Sequence, residues 1–156
     1  MGHAEPELAS ALAETSINNP PWMSRLRPVE LDPDVHRGYY AGLANGLLWP
    51  AFHDQIHQIS VEAADWDNYV TANLAFARAI LREFTPGDTV WIHDYHLCLV
   101  PQMLREARPH AAIGFFLHVP FPAAGSLGII PWRSELLAGI AGADFVAFHT
   151  PAYLTN

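Results

Sequence analysis

The stretch of sequence that decides the fold is TVWIHDYH, at residues 89–96. Its first four residues are apolar or β-branched and follow the turn sequence TPGD at 85–88, so they predict a short buried strand. The strand ends in a polar group that begins at His93. The chain therefore contains a buried strand whose carboxyl end carries residues able to do chemistry.

Downstream of this strand, the sequence alternates between helices and strands. Helices are predicted at about 101–108 and 132–141, with Gly142 as the C′ residue of the second helix. Strands are predicted at 112–117 and 144–148. Continuous apolar strands that alternate with helices are typical of a parallel sheet with helices on both faces. The predicted fold class is α/β, a partial Rossmann-like parallel sheet with flanking helices.

Two helices are predicted before the sheet. Asp32 and Pro33 predict the start of the first helix, and the sequence WP at 49–50 predicts its end. The residues of this helix that are expected on one face are Tyr39, Tyr40, Leu43 and Leu47. A second helix with a wide apolar stripe is predicted over 65–83. Residues 1–25 have no helical stripe and are expected to be a disordered or divergent leader.

Composition limits the class of protein. The chain has 156 residues, of which 51% are hydrophobic and 15% charged, so it is suited to one domain with a core and not to intrinsic disorder. Its formal net charge is −8, and all eight basic side chains are arginine. Because no basic run could neutralise a phosphate backbone, nucleic acid is not an expected partner.

The sequence also predicts where the protein resides. No signal peptide is visible near the amino terminus, and no uninterrupted apolar run reaches the roughly 18 residues of a membrane span. The one cysteine, Cys98, lies in an apolar segment and is expected to be a buried core residue, so no disulfide can form within the chain. These features predict a cytoplasmic protein with no membrane partner.

Each of the three predicted strands ends in a histidine. These histidines are His93, His118 and His149. Right-handed crossovers place the carboxyl ends of parallel strands along one edge of the sheet, where open α/β sheets bind their ligands. The sequence therefore predicts that polar residues from three strands converge on one cleft.

Three kinds of site could be built from such residues. A metal site is disfavoured because His93 and His96 do not form a helical H-E-x-x-H pair and no clustered carboxylates complete a shell. A hydrolase triad is disfavoured because there is no G-x-S-x-G turn, and Ser126 lies in a loop. A sugar or nucleotide-sugar site needs aromatic faces, an aspartate and histidines. The chain supplies these types as Tyr40, Trp49, Asp94 and His118.

Several blocks of the sequence resemble the trehalose-6-phosphate synthase family, in the family's order and with similar spacing. The main blocks are YYAGLANGLLWPAFH at 39–53, WDNYVTANLAFA at 66–77, VWIHDYHL at 90–97, and IGFFLHVPFP at 113–122. The likeness continues through PWR at 131–133 and GADFVAFHT at 142–150. It extends over roughly residues 26–150 and is too long to arise by chance.

The resemblance implies a fold and an activity. The family has a GT-B fold, in which two Rossmann-like domains enclose the active site, and residues 26–156 would be an incomplete amino-terminal, acceptor-side domain. The family transfers glucose from UDP-glucose, or another nucleoside-diphosphate glucose, to glucose 6-phosphate with retention, and it needs no metal or other cofactor. By resemblance, Tyr40 and Trp49 line the acceptor pocket, Asp94 binds the acceptor sugar, and His118 contacts the donor glucose near the reacting centre.

The sequence also departs from the family pattern. Residues 1–25 lack the arginine-containing first strand and the glycine-rich loop, and no segment resembles the carboxyl-terminal donor domain. We therefore expect a fragment that has little or no activity alone and self-associates through an exposed sheet edge. Three alternatives remain open: a non-catalytic sugar-phosphate-binding module, a related synthase such as a glucosylglycerol-phosphate synthase or a pseudo-glycosyltransferase, and a non-functional remnant that binds no ligand.

Overall fold

The computed structural model describes residues 27–156, so the expected leader at 1–25 lies outside the described residues. The helices are α1 (three consecutive segments, Pro33–His36, Arg37–Leu48 and Trp49–Phe52), α2 (Ala63–Glu83), α3 (Val100–Ala107), α4 (Ala124–Leu127), α5 (Arg133–Ala141) and α6 (Pro151–Thr155). The strands are β1 (Thr89–His93), β2 (Ala112–Leu117) and β3 (Phe145–Phe148). Single 3₁₀ turns occupy Ile56–Gln58 and Tyr95–Leu97.

Helix α1 begins as predicted but ends later. The Asp32 side chain accepts a hydrogen bond from the backbone N–H of Asp34 at 2.8 Å, which is an N-cap. The middle segment of α1 is π-helical, and the N–H of Trp49 bonds to the carbonyl of Ala44. The predicted end at Trp49-Pro50 is wrong because Pro50 lies in the first turn of the final α-helical segment, where proline's missing N–H costs little.

The expectation that Tyr39 and Tyr40 share a face is also wrong. Tyr39 is buried, whereas the side chain of Tyr40 is 47% exposed. Consecutive residues of a helix point in different directions, so only one of the two rings can face the core. Tyr39, Leu43 and Leu47 form the buried face of α1.

Helix α2 packs along α1 and carries the central apolar stripe. It starts at Ala63, two residues before the predicted start, because Asp65 is the third residue of a capping box. The Asp65 carboxylate accepts from the backbone N–H of Glu62 at 2.8 Å. Within the apolar stripe, Trp66 stacks on Trp132 with ring centroids 4.9 Å apart, and this contact joins α2 to the segment before α5.

The sheet is parallel, in the order β1-β2-β3, as the alternation of elements predicted. Ile92, Phe115 and Val146 lie in register on the face that packs against the helices. On the other face, the ring of Trp91 covers Gly114, where an added Cβ would come within 2.1 Å of that ring.

This second face of the sheet is open in the described part of the chain. Trp91 is 46% exposed and Phe145 is 58% exposed, and their rings stack with centroids 6.0 Å apart. The expectation of helices on both faces is therefore not met within residues 27–156. The fold class itself is confirmed, because the sheet is parallel, Rossmann-like and flanked by helices.

Gly142 follows α5 but does not have the expected conformation. Its φ is −66°, so it is right-handed and makes no left-handed C′ cap. Glycine fits here because an added Cβ would lie 2.4 Å from the backbone of Gln102, where α5 meets α3. Strand β3 also starts one residue later than predicted, since Asp144 turns its carboxylate to the backbone N–H of Ile113, at 2.8 Å, and to Arg105, at 2.7 Å.

Within residues 27–156, no helix is long and apolar enough to cross a bilayer.

Candidate functional site

The three histidines at the strand ends come together, as the sequence predicted. Nδ1 of His93 lies 2.8 Å from Nε2 of His118. The ring of His149 stands edge-on to that of His118, with centroids 5.5 Å apart. One edge of the sheet therefore carries a row of three imidazoles, which belong to β1 and to the residues that follow β2 and β3.

Asp94 occupies the most unusual backbone position of this edge. Its φ is 72° and its ψ is 167°, a region that is essentially reserved for glycine and costs about 1–3 kcal/mol for other residues. Its N–H donates to the carbonyl of Phe116 at 2.8 Å, and its carboxylate accepts from the backbone N–H of His118 at 3.2 Å. The surrounding structure thus holds an aspartate where the backbone alone would favour glycine.

Two buried residues of α2 fix the turn that follows Asp94. The Tyr69 hydroxyl donates to the carbonyl of Tyr95 at 2.6 Å and accepts from the N–H of Cys98 at 3.1 Å. The Asn73 amide donates to the carbonyl of His96 at 3.1 Å, and its oxygen accepts from the N–H of Leu99 at 3.2 Å. These four bonds clamp residues 95–99 to the helix.

The clamp was not predicted from the sequence. Among the described residues, Asn73 is the buried polar residue of the core, and it is fully enclosed. The signal was present, because an asparagine interrupts the apolar stripe of α2 four residues after Tyr69. A polar side chain in such a stripe indicates a buried hydrogen-bond partner, but the pattern does not say which segment provides it.

Burial keeps the hydroxyl and thiol groups of the clamp neutral. Desolvation raises the pKa of Tyr69 well above its usual value and raises the pKa of Cys98 to about 12. Burial, with a smaller contribution from Asp94, raises the pKa of Tyr95 to about 12. The prediction that Cys98 is a buried core residue is confirmed, and its thiol is free.

Tyr40 reaches the strand edge by stacking on His96. The two rings are nearly parallel, at 16°, with centroids 5.4 Å apart, and His36 stacks on the same tyrosine from its own helix at 5.7 Å. Burial lowers the pKa of His96 and outweighs the opposing effect of Asp94. The half-exposed Tyr40 ring is thus held beside the Asp94 turn.

Trp49 is the predicted site residue that lies apart from the others. It stacks on His53 with centroids 4.0 Å apart, and its carbonyl is 2.7 Å from Nδ1 of that histidine. It makes no ring contact or hydrogen bond with Asp94 or His118 in the part of the chain that the structure describes. The structure therefore brings together Asp94, His118 and Tyr40, and leaves Trp49 further along α1.

This arrangement is suited to a polar ligand with apolar faces. Exposed aromatic rings, a carboxylate and imidazoles can bind the faces and hydroxyls of a sugar. Within residues 27–156, no group of three or more histidine, cysteine or acidic side chains is placed to hold a metal ion. A separate groove of about 510 Å³ lies between residues 27–30 and the carboxyl-terminal half of α2, and none of its lining residues belongs to the strand ends.

The fold and the strand-end cleft are those of the Rossmann-like α/β domains, a class in which ligands bind at the carboxyl edge of the parallel sheet. Residues 5–156 match the model of the glycosyltransferase family 20. The chain belongs to glycosyltransferase family 20.

Curated proteins with similar sequences are named as trehalose-6-phosphate synthases. The chain is 47% identical over 132 residues to the trehalose-6-phosphate synthase of Mycolicibacterium smegmatis, and 46% identical over 132 residues to that of Mycobacterium ulcerans. Each alignment includes 85% of this chain but 26% of the relative. The chain therefore spans about a quarter of the length of the curated relatives that it matches.

Solved structures show the same fold. The α,α-trehalose-phosphate synthase from Burkholderia xenovorans, in complex with glucose-6-phosphate, superposes with a TM-score of 0.76 at 35% identity over 79% of this chain and 27% of that chain. An E. coli structure bound with UDP-2-fluoro glucose gives 0.77 at 33% identity over 80% and 28%. The N-terminal domain of Candida albicans trehalose-6-phosphate phosphatase gives 0.79 at 37% identity over 96% and 32%.

The strain at Asp94 predicts that glycine is more stabilising than alanine at this position, which is the reverse of their usual order in a helix. Both Asp94→Gly and Asp94→Ala remove the carboxylate, so they differ only in the backbone preference. We expect the glycine variant to be more stable than the alanine variant by about 1–2 kcal/mol in urea unfolding, because only glycine adopts this φ and ψ without cost.

The matched control for this pair is the exposed helical position Asp67. There, Asp67→Ala should be more stable than Asp67→Gly by about 1 kcal/mol, the usual order in a helix. An alanine variant at position 94 that equals or exceeds the glycine variant would show that the backbone at Asp94 is not strained.

Proposed function

We propose that this chain is the acceptor-side part of a trehalose-6-phosphate synthase, a glycosyltransferase that moves glucose from UDP-glucose to glucose 6-phosphate with retention. In this proposal, residues 26–156 are an incomplete amino-terminal GT-B domain of a cytoplasmic enzyme. The observation that carries it is the strained Asp94 at the strand end, hydrogen-bonded to the backbone of His118. Strained polar residues are concentrated at functional sites, and here the strain lies in the block that resembles the family most closely.

Each predicted site residue has a chemical role that fits its position. The Asp94 carboxylate accepts hydrogen bonds from hydroxyls of the acceptor sugar. The Tyr40 ring, held on His96, lines the acceptor pocket, and Trp49 extends that pocket along α1. His118, one strand further along the edge, contacts the donor glucose near the reacting centre. Such groups accelerate transfer by orienting the two sugars and by stabilising the charge of an oxocarbenium-like transition state.

Relatives support the two substrates. A Burkholderia xenovorans synthase was solved with glucose-6-phosphate, and an E. coli structure holds UDP-2-fluoro glucose. Both proteins are more than three times as long as the part that this chain matches, since the alignments include 27% and 28% of them. Donor-binding residues outside that part are needed for turnover in this proposal, so we expect the isolated chain to release little or no UDP.

The acceptor role predicts binding of glucose 6-phosphate by the isolated chain. A ligand that binds only the folded state stabilises it, by about 2.7 kcal/mol at a concentration one hundred times its Kd. We expect glucose 6-phosphate to raise the melting temperature of the chain in a concentration-dependent way. We expect Asp94→Ala to lose most of that shift, because the carboxylate that binds the sugar hydroxyls is gone.

The control variant for this titration is His110→Ala, which removes an exposed histidine from the turn before β2. It should keep the full shift. Glucose and inorganic phosphate, each tested alone, should give smaller shifts than the sugar phosphate. An equal response of the Asp94→Ala variant and the unmodified chain would contradict the proposed acceptor site.

A specific observation favours a second candidate, a non-catalytic sugar-phosphate-binding module. The N-terminal domain of Candida albicans trehalose-6-phosphate phosphatase aligns with 96% of this chain. The same fold unit is thus present in a protein named for a different reaction. Glucose 6-phosphate binding without UDP release by the full-length protein would select the module, whereas UDP release that depends on Asp94 would select the synthase.

We propose that the chain as it stands also associates with a second copy of itself. In the described part of the chain, β1 and β3 are edge strands, and the open face between them exposes Trp91 and Phe145. Unpaired strand edges beside an apolar face favour association between copies.

Sedimentation velocity over a range of concentrations tests this association. We expect Phe145→Lys to weaken it by about tenfold or more, because burying a large aromatic side chain contributes about 1.5–3 kcal/mol. The control is Leu154→Lys in α6, which charges another exposed apolar residue that does not belong to the strands. A chain that stays monomeric at all concentrations would contradict the proposal.

A further inference from the structure

His93 and His118 share one hydrogen bond between their rings. Nδ1 of His93 and Nε2 of His118 are 2.8 Å apart, and two unprotonated nitrogens at that distance would repel each other. One proton must therefore lie between them. Because a neutral imidazole carries a proton on only one nitrogen, the position of this proton decides the tautomer of both rings.

The surroundings favour one of the two possibilities. A free neutral histidine side chain prefers the form that is protonated on Nε2. If His118 donates its Nε2–H to Nδ1 of His93, both rings adopt this preferred form. His93 is exposed, so its own Nε2–H points toward water. In the opposite arrangement both rings would adopt the less stable tautomer, and no described contact compensates for that.

A flipped His118 ring would occupy the same space but would turn a C–H group toward His93 and lose the hydrogen bond between the rings. The ring lies against Phe116 with centroids 4.6 Å apart and against His149 with centroids 5.5 Å apart. The backbone of His118 is tied to the Asp94 carboxylate at 3.2 Å. The atom of the His118 ring that remains without a hydrogen-bond partner, within residues 27–156, is Nδ1.

We propose that His93 is a positioning residue that holds His118 in its Nε2–H tautomer and presents Nδ1 as a hydrogen-bond acceptor to a hydroxyl of the bound hexose. The tautomer follows from the geometry of this chain alone. The hexose rests on the proposed function. His118 would thus receive a hydrogen bond from the sugar, and His93 would decide this without touching the sugar itself.

Nuclear magnetic resonance of the ¹⁵N-labelled chain reads the tautomer directly. At about pH 8, we expect Nε2 of His118 to have the shift of a protonated nitrogen and Nδ1 that of an unprotonated one. A coupling across the hydrogen bond should connect Nε2 of His118 with Nδ1 of His93. Protonation of His118 on Nδ1 would overturn the proposal.

Variants of His93 separate positioning from mere packing. His93→Phe keeps an aromatic ring but removes the acceptor, so the His118 resonances should change to those of a tautomer mixture. His93→Gln supplies a carbonyl oxygen at a similar place and should restore the Nε2–H form. His110→Gln, in an exposed turn, should leave the His118 spectrum unchanged. If His93→Phe also leaves it unchanged, His93 does not position His118.

Titration of the same samples with UDP-glucose and with glucose 6-phosphate tests whether a hexose contacts Nδ1 of His118. A free imidazole already prefers the Nε2–H form, so removal of the His93 acceptor takes away only part of the binding-competent population. His93→Phe should therefore bind the ligand that contacts His118 about twofold more weakly, and His93→Gln should bind it as the unmodified chain does. If neither sugar compound shifts the Nδ1 resonance of His118, the hexose contact is overturned, whereas the proposed function is judged separately by the Asp94-dependent binding of glucose 6-phosphate.

Discussion

The structure depends on the clamp that Tyr69 and Asn73 place on the turn after β1. Their side chains make four hydrogen bonds to the backbone of residues 95–99, and both residues are fully buried. Leaving one buried donor or acceptor unpaired costs about 1–3 kcal/mol. A different path for this turn would leave several of these groups unpaired at once. The clamp therefore fixes the exit of the chain from the strand, and with it the position of Asp94.

The clamp explains how the chain tolerates a strained aspartate. A non-glycine residue at φ 72° and ψ 167° persists only when its surroundings hold both neighbours in place. On one side, β1 pairs with β2, and on the other, α2 holds the turn. The same turn carries His96 under the ring of Tyr40, so one rigid segment positions both the carboxylate and the aromatic face. The core of the domain and its candidate site are for this reason a single unit.

The sequence predicted the parts of this fold that repeat a simple pattern. The strands, the second helix and the convergence of three histidines follow from apolar periodicity and from the geometry of parallel sheets. Features that depend on contacts between distant segments were either not predicted or predicted wrongly. The partners of Asn73, the exposure of Tyr40 and the close approach behind Gly142 each require knowledge of which element lies opposite. Pro50 follows the π-helical segment of α1 and lies inside the helix, although the sequence predicted that the helix ends there.

The central claim is that Asp94 and Tyr40 form one edge of a sugar-phosphate pocket, with His118 beside them on the donor side. Its most direct test is to map the backbone and side-chain resonances of the ¹⁵N-labelled chain during titration with glucose 6-phosphate. The structure predicts that the largest shifts occur at Asp94, in the turn at 95–97 and at Tyr40, with smaller ones at Trp49. Shifts that are confined to the groove beside residues 27–30, or no saturable shifts at all, would contradict it.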